Sequence, residues 1–438
     1  MSSIKNFKTA NLGVQMGFFI SQRFLPLFIT QYFGAFNDNT LKGAIIILIT
    51  YKIANLSGES THALVTLAAA VFILPFFIFS SLAGQFADKF DRAVIARLVK
   101  IFEILIMVLA SIGFVMEDPW FLITVLFASG VHSAFFGPIK YALLPQHLHP
   151  NELLQGNGYI EAGTFLAILL GTITGSVLIQ DTLGVYIVSI TLIACALCGY
   201  LASRYIPVSP GPAPLLSINY NILQETMRII RYSRVNTDVF MSIMFISWFW
   251  FIAVTYVTQI PIYTKDYLHA EASIVTLFLT VFSIGIAIGA LLCGKLLRRA
   301  IKSVYVPAAA FGMSLFMIDL YFCSLSPIYF NLPALLSSQQ FLNMQTSWRI
   351  IIDLLLMAVC AGIYIVPLYT MMQHSSDKNY LARIIAANNV FNALFMVLSS
   401  AFVMGMLALH RSLPEVFLII AAVNIILALF IRRTLNHA

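Results

Sequence analysis

The sequence predicts an all-α polytopic membrane protein of twelve transmembrane helices in two six-helix bundles, and three observations lead there. Hydrophobic residues make up 60% of the 438 positions, charged residues only 10%, and the mean hydropathy is +0.91. A soluble domain carries about a quarter charged residues, so lipid must act as solvent for much of this chain. Twelve stretches approach the roughly 20 mostly apolar residues that a spanning helix needs. A long basic segment containing several prolines then separates them six from six.

Taken in order, the predicted spans are 24–50, 62–86, 93–115, 120–144, 157–180, 184–206, 238–263, 272–297, 303–325, 350–373, 384–408 and 414–431, the last being short. The segment 326–348 is polar enough to read as an outside loop. The amino-terminal run MSSIKNFKTANLGVQMGFF lacks the basic, apolar and small-residue regions of a signal peptide and reads as a retained cytoplasmic tail. Lys and Arg set the orientation. With the amino terminus inside, 19 of the 25 fall at inside ends or loops, among them Lys100, Arg298, Arg299, Lys302 and Arg383. Four fall outside (Lys52, Lys265, Arg349 and Arg411), and Lys42 and Lys140 lie within spans. Both termini are therefore expected in the cytoplasm.

The inside segment 207–237 opens with PVSPGPAP, where prolines remove donors and fix φ, and continues into ETMRIIRYSR. Arg228, Arg231 and Arg234 recur along one helical face, the pattern of an amphipathic helix on a membrane surface. The expected organisation is a bundle over 1–206, this linker over 207–237, and a second bundle over 238–438. The halves also carry traces of one another. Gly137-Pro138 and Val366-Pro367 each precede a loop, and alignment on the prolines with a two-residue insertion sets Asn157 against Asn388 and Glu161 against Asn392. A repeat with substrate bound between its copies is a transporter pattern.

Charge within a span is expensive, and is therefore the main pointer to function. In the first span Gln31, Asn37, Asp38, Asn39 and Lys42 interrupt the apolar run. Asp38 lies about fifteen residues in, near the midplane at roughly 1.5 Å per residue. Lys42, four residues on, is placed to pair with it. The same group reads either as a neutralised structural pair or as the wall of a substrate path. Lys140 near the end of the fourth span and Glu161 near the start of the fifth lie at similar depth, as a bridge or as a charged end to that path. Glu103, Asp319 and Asp353 are further carboxylates at or within spans, and His132 reads as a packing residue. The aromatic run Trp248-Phe249-Trp250-Phe251 with Tyr256 suits either an amphipathic substrate or the membrane interface. Cys195 and Cys198 form a CxxC spacing without His or carboxylate neighbours, so small packing residues are expected and not a metal or redox site. No HExxH, GxSxG, Walker A or GxGxxG signature is present, so neither catalysis nor a cofactor is expected. The basic clusters between apolar runs suit an anionic leaflet, not nucleic acid.

Between the second and third spans the chain reads Gly84-Gln-Phe-Ala-Asp88-Lys89-Phe-Asp91-Arg92. This resembles the signature of the major facilitator superfamily, and implies the major facilitator fold, moving by alternating access. Gly84 would let helices approach, while Asp88, paired with Arg or facing a helix N-terminus and accompanied by Lys89 and Arg92, would form a conformational latch. The end of the eighth span, Gly294-Lys295 with Arg298-Arg299, is a degraded second copy without the Asp. The run Phe24-Leu-Pro-Leu-Phe-Ile-Thr-Gln-Tyr-Phe-Gly34-Ala35-Phe36-Asn37-Asp38-Asn39, with Gly137-Pro138-Ile139-Lys140-Tyr141 and Asn157-Gly158-Tyr159-Ile160-Glu161-Ala162, is similar to the lysophospholipid transporters. The stretch from Ser247 to Pro261 is similar to the transporter portion of larger proteins that fuse this module to acyltransferase and acyl-ligase domains. The resemblance implies a flippase moving lysophospholipids inward across the bacterial inner membrane for re-acylation, with Asp38 and Lys140 on the headgroup path and a separate acyltransferase as partner. In one respect the sequence departs from that branch: Ala253-Val-Thr-Tyr-Val-Thr258 carries no Arg where stand-alone members do. The alternative is a major facilitator transporter of a polar, carboxylate-rich small molecule such as a siderophore, because a fold does not fix a substrate.

Overall fold

A computed structural model describes residues 17–50, 61–296, 305–326 and 334–435. The amino-terminal tail, Lys52, Arg298, Arg299 and Lys302 lie outside the described residues, as does the Lys295 side chain. The described chain is almost wholly helical: α1 Leu25–Leu48, α2 Thr61–Lys89, α3 Arg92–Met116, α4 Pro119–His147, α5 Pro150–Leu178, α6 Gly184–Ser203, α7 Ile222–Ser233, α8 Thr237–Ile262, α9 Ala272–Leu296, α10 Tyr305–Ser324, α11 Ser338–Leu342, α12 Gln345–Ser375, α13 Leu381–Ala408 and α14 Leu413–Leu435. A π turn, Tyr263–Tyr267, extends α8 just after Pro261.

Among the described residues eleven helices are long and apolar enough to cross a membrane. The twelfth predicted span is α1, 24 residues long but diluted by Gln31, Asn37, Asp38, Asn39 and Lys42. The predicted loop at 326–348 contains the short α11, and the last helix is longer than its apolar core suggested. Local sequence explains several helix starts. Asp91 accepts from the amides of Ala93 and Val94 at 2.8 and 3.2 Å to cap α3, and Asp118, ahead of Pro119, caps α4 through Trp120 and Phe121. The outer face of α3 is apolar throughout, with Leu98, Phe102, Leu105, Leu109 and Val115 all exposed, whereas Lys100 and Glu103 point inward. That inversion of the soluble pattern is what a lipid solvent requires.

The contacts divide the chain into two units. Unit 1 holds Met1–Gly156, Leu170–Asn236 and Ser376–Val390; unit 2 holds Asn157–Leu169, Thr237–Ser375 and Phe391–Ala438. In unit 1, α2 packs on α4, and α6 packs on α1 and α3. Leu41, Ile45, Met107, Phe114, Leu126 and Val188 belong to its apolar core. In unit 2, α12 packs on α8, α9 and α10, and α10 on α14. Each unit thus takes in part of a helix from the other half of the sequence: α5 contributes 157–169 to unit 2, and the start of α13 lies in unit 1.

Lipid supplies no hydrophobic drive between helices, so buried polar groups help to fix the packing. In unit 2 the Asn424 amide donates to the Ala310 carbonyl at 2.8 Å and to Ser314 Oγ at 2.9 Å, while its oxygen accepts from Trp248 Nε1 at 2.9 Å. This single side chain joins α8, α10 and α14. Replacing it, Asn424→Leu, is expected to destabilise the protein by about 1–3 kcal/mol, because the indole N–H loses its acceptor and the Ala310 carbonyl keeps only the Ser314 hydroxyl of its two side-chain donors. Thermal unfolding in detergent checks this.

Candidate functional site

The turn between α2 and α3 places Asp88 fully out of solvent at the N-terminus of α13. Its oxygens accept from the backbone amides of Ala382 and Arg383 at 3.1 and 3.3 Å, from Arg383 Nε at 2.9 Å and from Arg92 Nη2 at 3.2 Å. The carboxylate therefore meets two guanidinium groups and the positive end of a helix. Arg92 is also buried, and donates to the Ala87 and Ala142 carbonyls and to Gln146. The Arg383 guanidinium lies 3.9 Å over the Tyr380 ring. Gly84 makes this approach possible, since a Cβ there would stand 2.9 Å from Arg383 Cα and from Ala386 Cβ. Of the predicted latch residues, Gly84, Asp88 and Arg92 come together. Lys89 does not join them; its Nζ lies over the Phe90 ring. Arg383 is the member that the sequence reading placed only among the inside basic residues.

A second cluster forms in unit 1 where α1, α3 and α4 meet. Asp38 is 7% exposed and accepts from the hydroxyls of Ser129, at 2.6 Å, and Ser133. Its neighbour Asn37 donates to Glu103 Oε1 at 3.0 Å. Lys100 donates to Glu103 Oε2 at 2.5 Å, with both side chains completely buried, and His132 Nε2 lies 3.3 Å from the same oxygen. His132 also stacks on Phe136. Two expectations change here. Lys100, counted among the basic residues of an inside end, is instead eight residues into α3 and fully buried. Lys42 forms no ion pair with Asp38, as its Nζ lies 5.5 Å from the Phe72 ring centroid. Asn39 donates to the Ala35 carbonyl of its own helix at 2.7 Å. The three-residue spacing of Lys100 and Glu103 was a readable signal for their pairing. The cluster is also incomplete: Asn37 Oδ1 and His132 Nδ1 have no hydrogen-bond partner among the described residues.

The remaining predicted residues are distributed between the units. Lys140 is half-buried in unit 1, with Nζ 4.7 Å from the Tyr141 ring centroid, and Glu161 is buried within α5 in unit 2. Asn157, also in unit 2, exchanges hydrogen bonds with Gln373 at 2.6 and 3.2 Å and donates to Thr370. Asn388, set against it by the proline alignment, is fully buried in unit 1, and neither amide atom has a partner among the described residues. Asn392 accepts from Ser247 at 2.9 Å. In unit 2, Trp250 donates to the Tyr369 hydroxyl and lies against Phe165, while Tyr256 stacks on Phe417. Asp319, Cys323 and Asp353 bring their ligand-type atoms within 4.8 Å of one another, but both Asp319 oxygens are engaged by Arg349. The five cysteines are free thiols.

Two measurements check these clusters. Asp88→Asn leaves Arg92 and Arg383 without their counter-charge and is expected to cost about 3–5 kcal/mol, the range for breaking one side of a buried pair. Lys100→Met should destabilise by a similar amount, while the double variant Lys100→Met, Glu103→Gln regains most of it, because no net charge is then stranded. Thermal unfolding of the purified protein, arranged as a double-mutant cycle for Lys100 and Glu103, reads both.

Comparison with known proteins follows the same lines. Residues 9–400 match the family model of the Major Facilitator Superfamily. The chain is 26% identical over 363 residues to the lysophospholipid transporter LplT of Escherichia coli, and 27% identical over 359 residues to that of Shigella dysenteriae serotype 1. Each match covers 80% of both chains. Similar solved structures include the proton:xylose symporter XylE (TM-score 0.70, 13% identity, covering 94% of this chain and 95% of that one) and FucP in the outward conformation (0.70, 12%, 94% and 99%). A bacterial homologue of the iron transporter ferroportin in the outward-facing state gives 0.67 at 13% identity, covering 94% of this chain and 100% of that one. At these identities the structural likenesses speak to fold alone. The helical architecture, the Gly84–Arg92 turn and the family match together establish that this chain belongs to the Major Facilitator Superfamily, as a multi-pass membrane transporter and not an enzyme.

Proposed function

We propose that this transporter moves lysophospholipids inward across a bacterial inner membrane by alternating access, with both termini in the cytoplasm. The observation that carries the reading is the Asp38 cluster. A carboxylate, two hydroxyls, an amide and an imidazole are buried among three apolar helices, and Asn37 Oδ1 and His132 Nδ1 lack partners among the described residues. Buried polar atoms cost free energy when unpaired, so a site with orphan acceptors and donors suits a polar guest. A lysophosphatidylethanolamine headgroup fits in kind: its ammonium donates to the Asp38 carboxylate and its glycerol hydroxyl reaches the open side of Asn37. Lys140 supplies a cation for the phosphate. The acyl chain needs no polar site, because it remains in lipid. The similarity to LplT and the orientation of the basic residues support the same reading. Product re-acylation falls to a separate acyltransferase. In the cycle, release of Asp88 from Arg383 is the step that frees the start of α13.

A second reading has one observation in its favour. No Lys or Arg occurs from Thr237 to Ile262, so α8 offers no cation to a phosphate. A polar, carboxylate-rich small molecule such as a siderophore would then be the cargo. Uptake of labelled lysophosphatidylethanolamine into spheroplasts separates the two. Wild type is expected to take it up, and Asp38→Asn to lose at least about tenfold at unchanged protein level, since Asn keeps the shape and one acceptor but not the charge. Equal uptake by the variant removes Asp38 from the mechanism. Normal lysolipid uptake in a deletion strain that fails to grow under iron limitation selects the second reading.

A further inference from the structure

The linker between the two halves of the sequence does more than connect spans. Seven points along 203–233 are tied to the elements that build the Asp88 latch. The Ser203 and Ile206 carbonyls accept from Arg97 of α3, and the Ser209 backbone both accepts from the Arg92 amide at 2.8 Å and donates to the Asp91 carboxylate at 3.0 Å. Ser209 Oγ lies 2.6 Å from His147 Nε2. The Ala213 amide donates to the carbonyl of Asp88 itself at 2.9 Å. Gln85 of α2 grips Asn219 twice, donating to its carbonyl at 3.0 Å and accepting from its amide at 2.7 Å. Helix α7 then reaches the other side of the latch. Its inward stripe Glu225, Ile229 and Ser233 is buried, with Ile229 packed on Ala386 and Ala387 of α13. Tyr232 stacks on Tyr380 at 4.1 Å, the ring over which Arg383 lies. The linker is therefore a strap fastened to both partners of the Asp88–Arg383 contact.

The outward side of this strap has a different chemistry. Leu215 is 97% exposed, Tyr220 72%, Leu223 75% and Met227 49%, and Arg228, Arg231 and Arg234 are exposed beside them. Leu223 and Met227 stand one turn apart, so an apolar stripe runs along α7 with cations at its flank. A segment that joins the ends of two spans necessarily lies at the membrane surface. There, an apolar stripe bordered by arginines matches the boundary between anionic headgroups and acyl chains.

We infer that the linker binds the anionic phospholipid surface of its own leaflet through Tyr220, Leu223, Met227, Arg228 and Arg231, and that this binding holds the latch closed. Lipid seated on the outward stripe fixes α7. A fixed α7 keeps Ile229 on Ala386 and Tyr232 on Tyr380, which in turn hold the α13 N-terminus against Asp88. Anionic lipid is thus a regulator of the transport cycle and distinct from cargo.

Hydrogen exchange by mass spectrometry on the full chain in nanodiscs tests this without requiring any transport. Discs of phosphatidylcholine are compared with discs containing about 30% phosphatidylglycerol. Amides of 219–235 should exchange at least about fivefold more slowly with the anionic lipid. The amides of Ala382 and Arg383, which Asp88 accepts from, should slow in parallel. Both responses should vanish in the double variant Arg228→Gln, Arg231→Gln and weaken in Leu223→Gln. Equal rates in the two lipid compositions overturn lipid recognition. A response confined to the linker, with Ala382 and Arg383 unchanged, overturns the coupling to the latch.

Discussion

An ionised group removed from water must find a partner with geometry good enough to offset the loss of hydration, and in hydrocarbon no passing solvent makes up a deficit. Unit 1 meets that demand twice. Asp88 draws Arg92 from its own turn and Arg383 from nearly three hundred residues later, and Glu103 draws Lys100, Asn37 and His132 from three helices. These contacts set which helices touch and in what rotation, because a helix turned by one residue would strand a full charge. The apolar faces, exposed along α3 and elsewhere, are interchangeable against lipid and specify far less. Fold specificity in this protein therefore rests on its few charged residues.

The two asparagines that the proline alignment sets against one another differ in the state of their amides. Asn157 has hydrogen-bonded partners in Gln373 and Thr370, whereas Asn388, at the aligned position, is buried and neither amide atom has a partner among the described residues. An unsatisfied amide costs about 1–3 kcal/mol. The same logic separates the latch residues. Asp88 and Arg92 saturate their donors and acceptors, while Lys89 keeps to an aromatic ring and contributes charge to the turn without a geometric constraint.

Much of this could be read from residue order. Apolar runs of sufficient length located the spans, and the glycine and aspartate spaced by four located a turn whose carboxylate does face a helix N-terminus and an arginine. Partners remote in sequence were harder to see. Arg383 stands two residues into an apolar run, and such a charge calls for a counter-charge, yet nothing local points to Asp88. Lys100 was misplaced because proximity to the basic turn at Lys89–Arg97 made it look like one more surface cation. Its three-residue spacing from Glu103 was the better guide. Lys42 shows the opposite error. Favourable i,i+4 spacing to Asp38 does not make a pair when serines on a neighbouring helix supply better donors.

The polarity of α1 also bears on how the protein is made. A helix that carries Asn37, Asp38, Asn39 and Lys42 is a poor substrate for the lateral gate through which nascent segments enter the bilayer. The groups that satisfy its carboxylate, Ser129 and Ser133, lie 91 and 95 residues downstream. At a synthesis rate of about 5–20 residues per second, the ribosome supplies them roughly 5–20 s after α1 has emerged. Over that interval the α1 carboxylate lacks the two hydroxyls that hold it in the finished bundle, and its burial is tied to the arrival of α4.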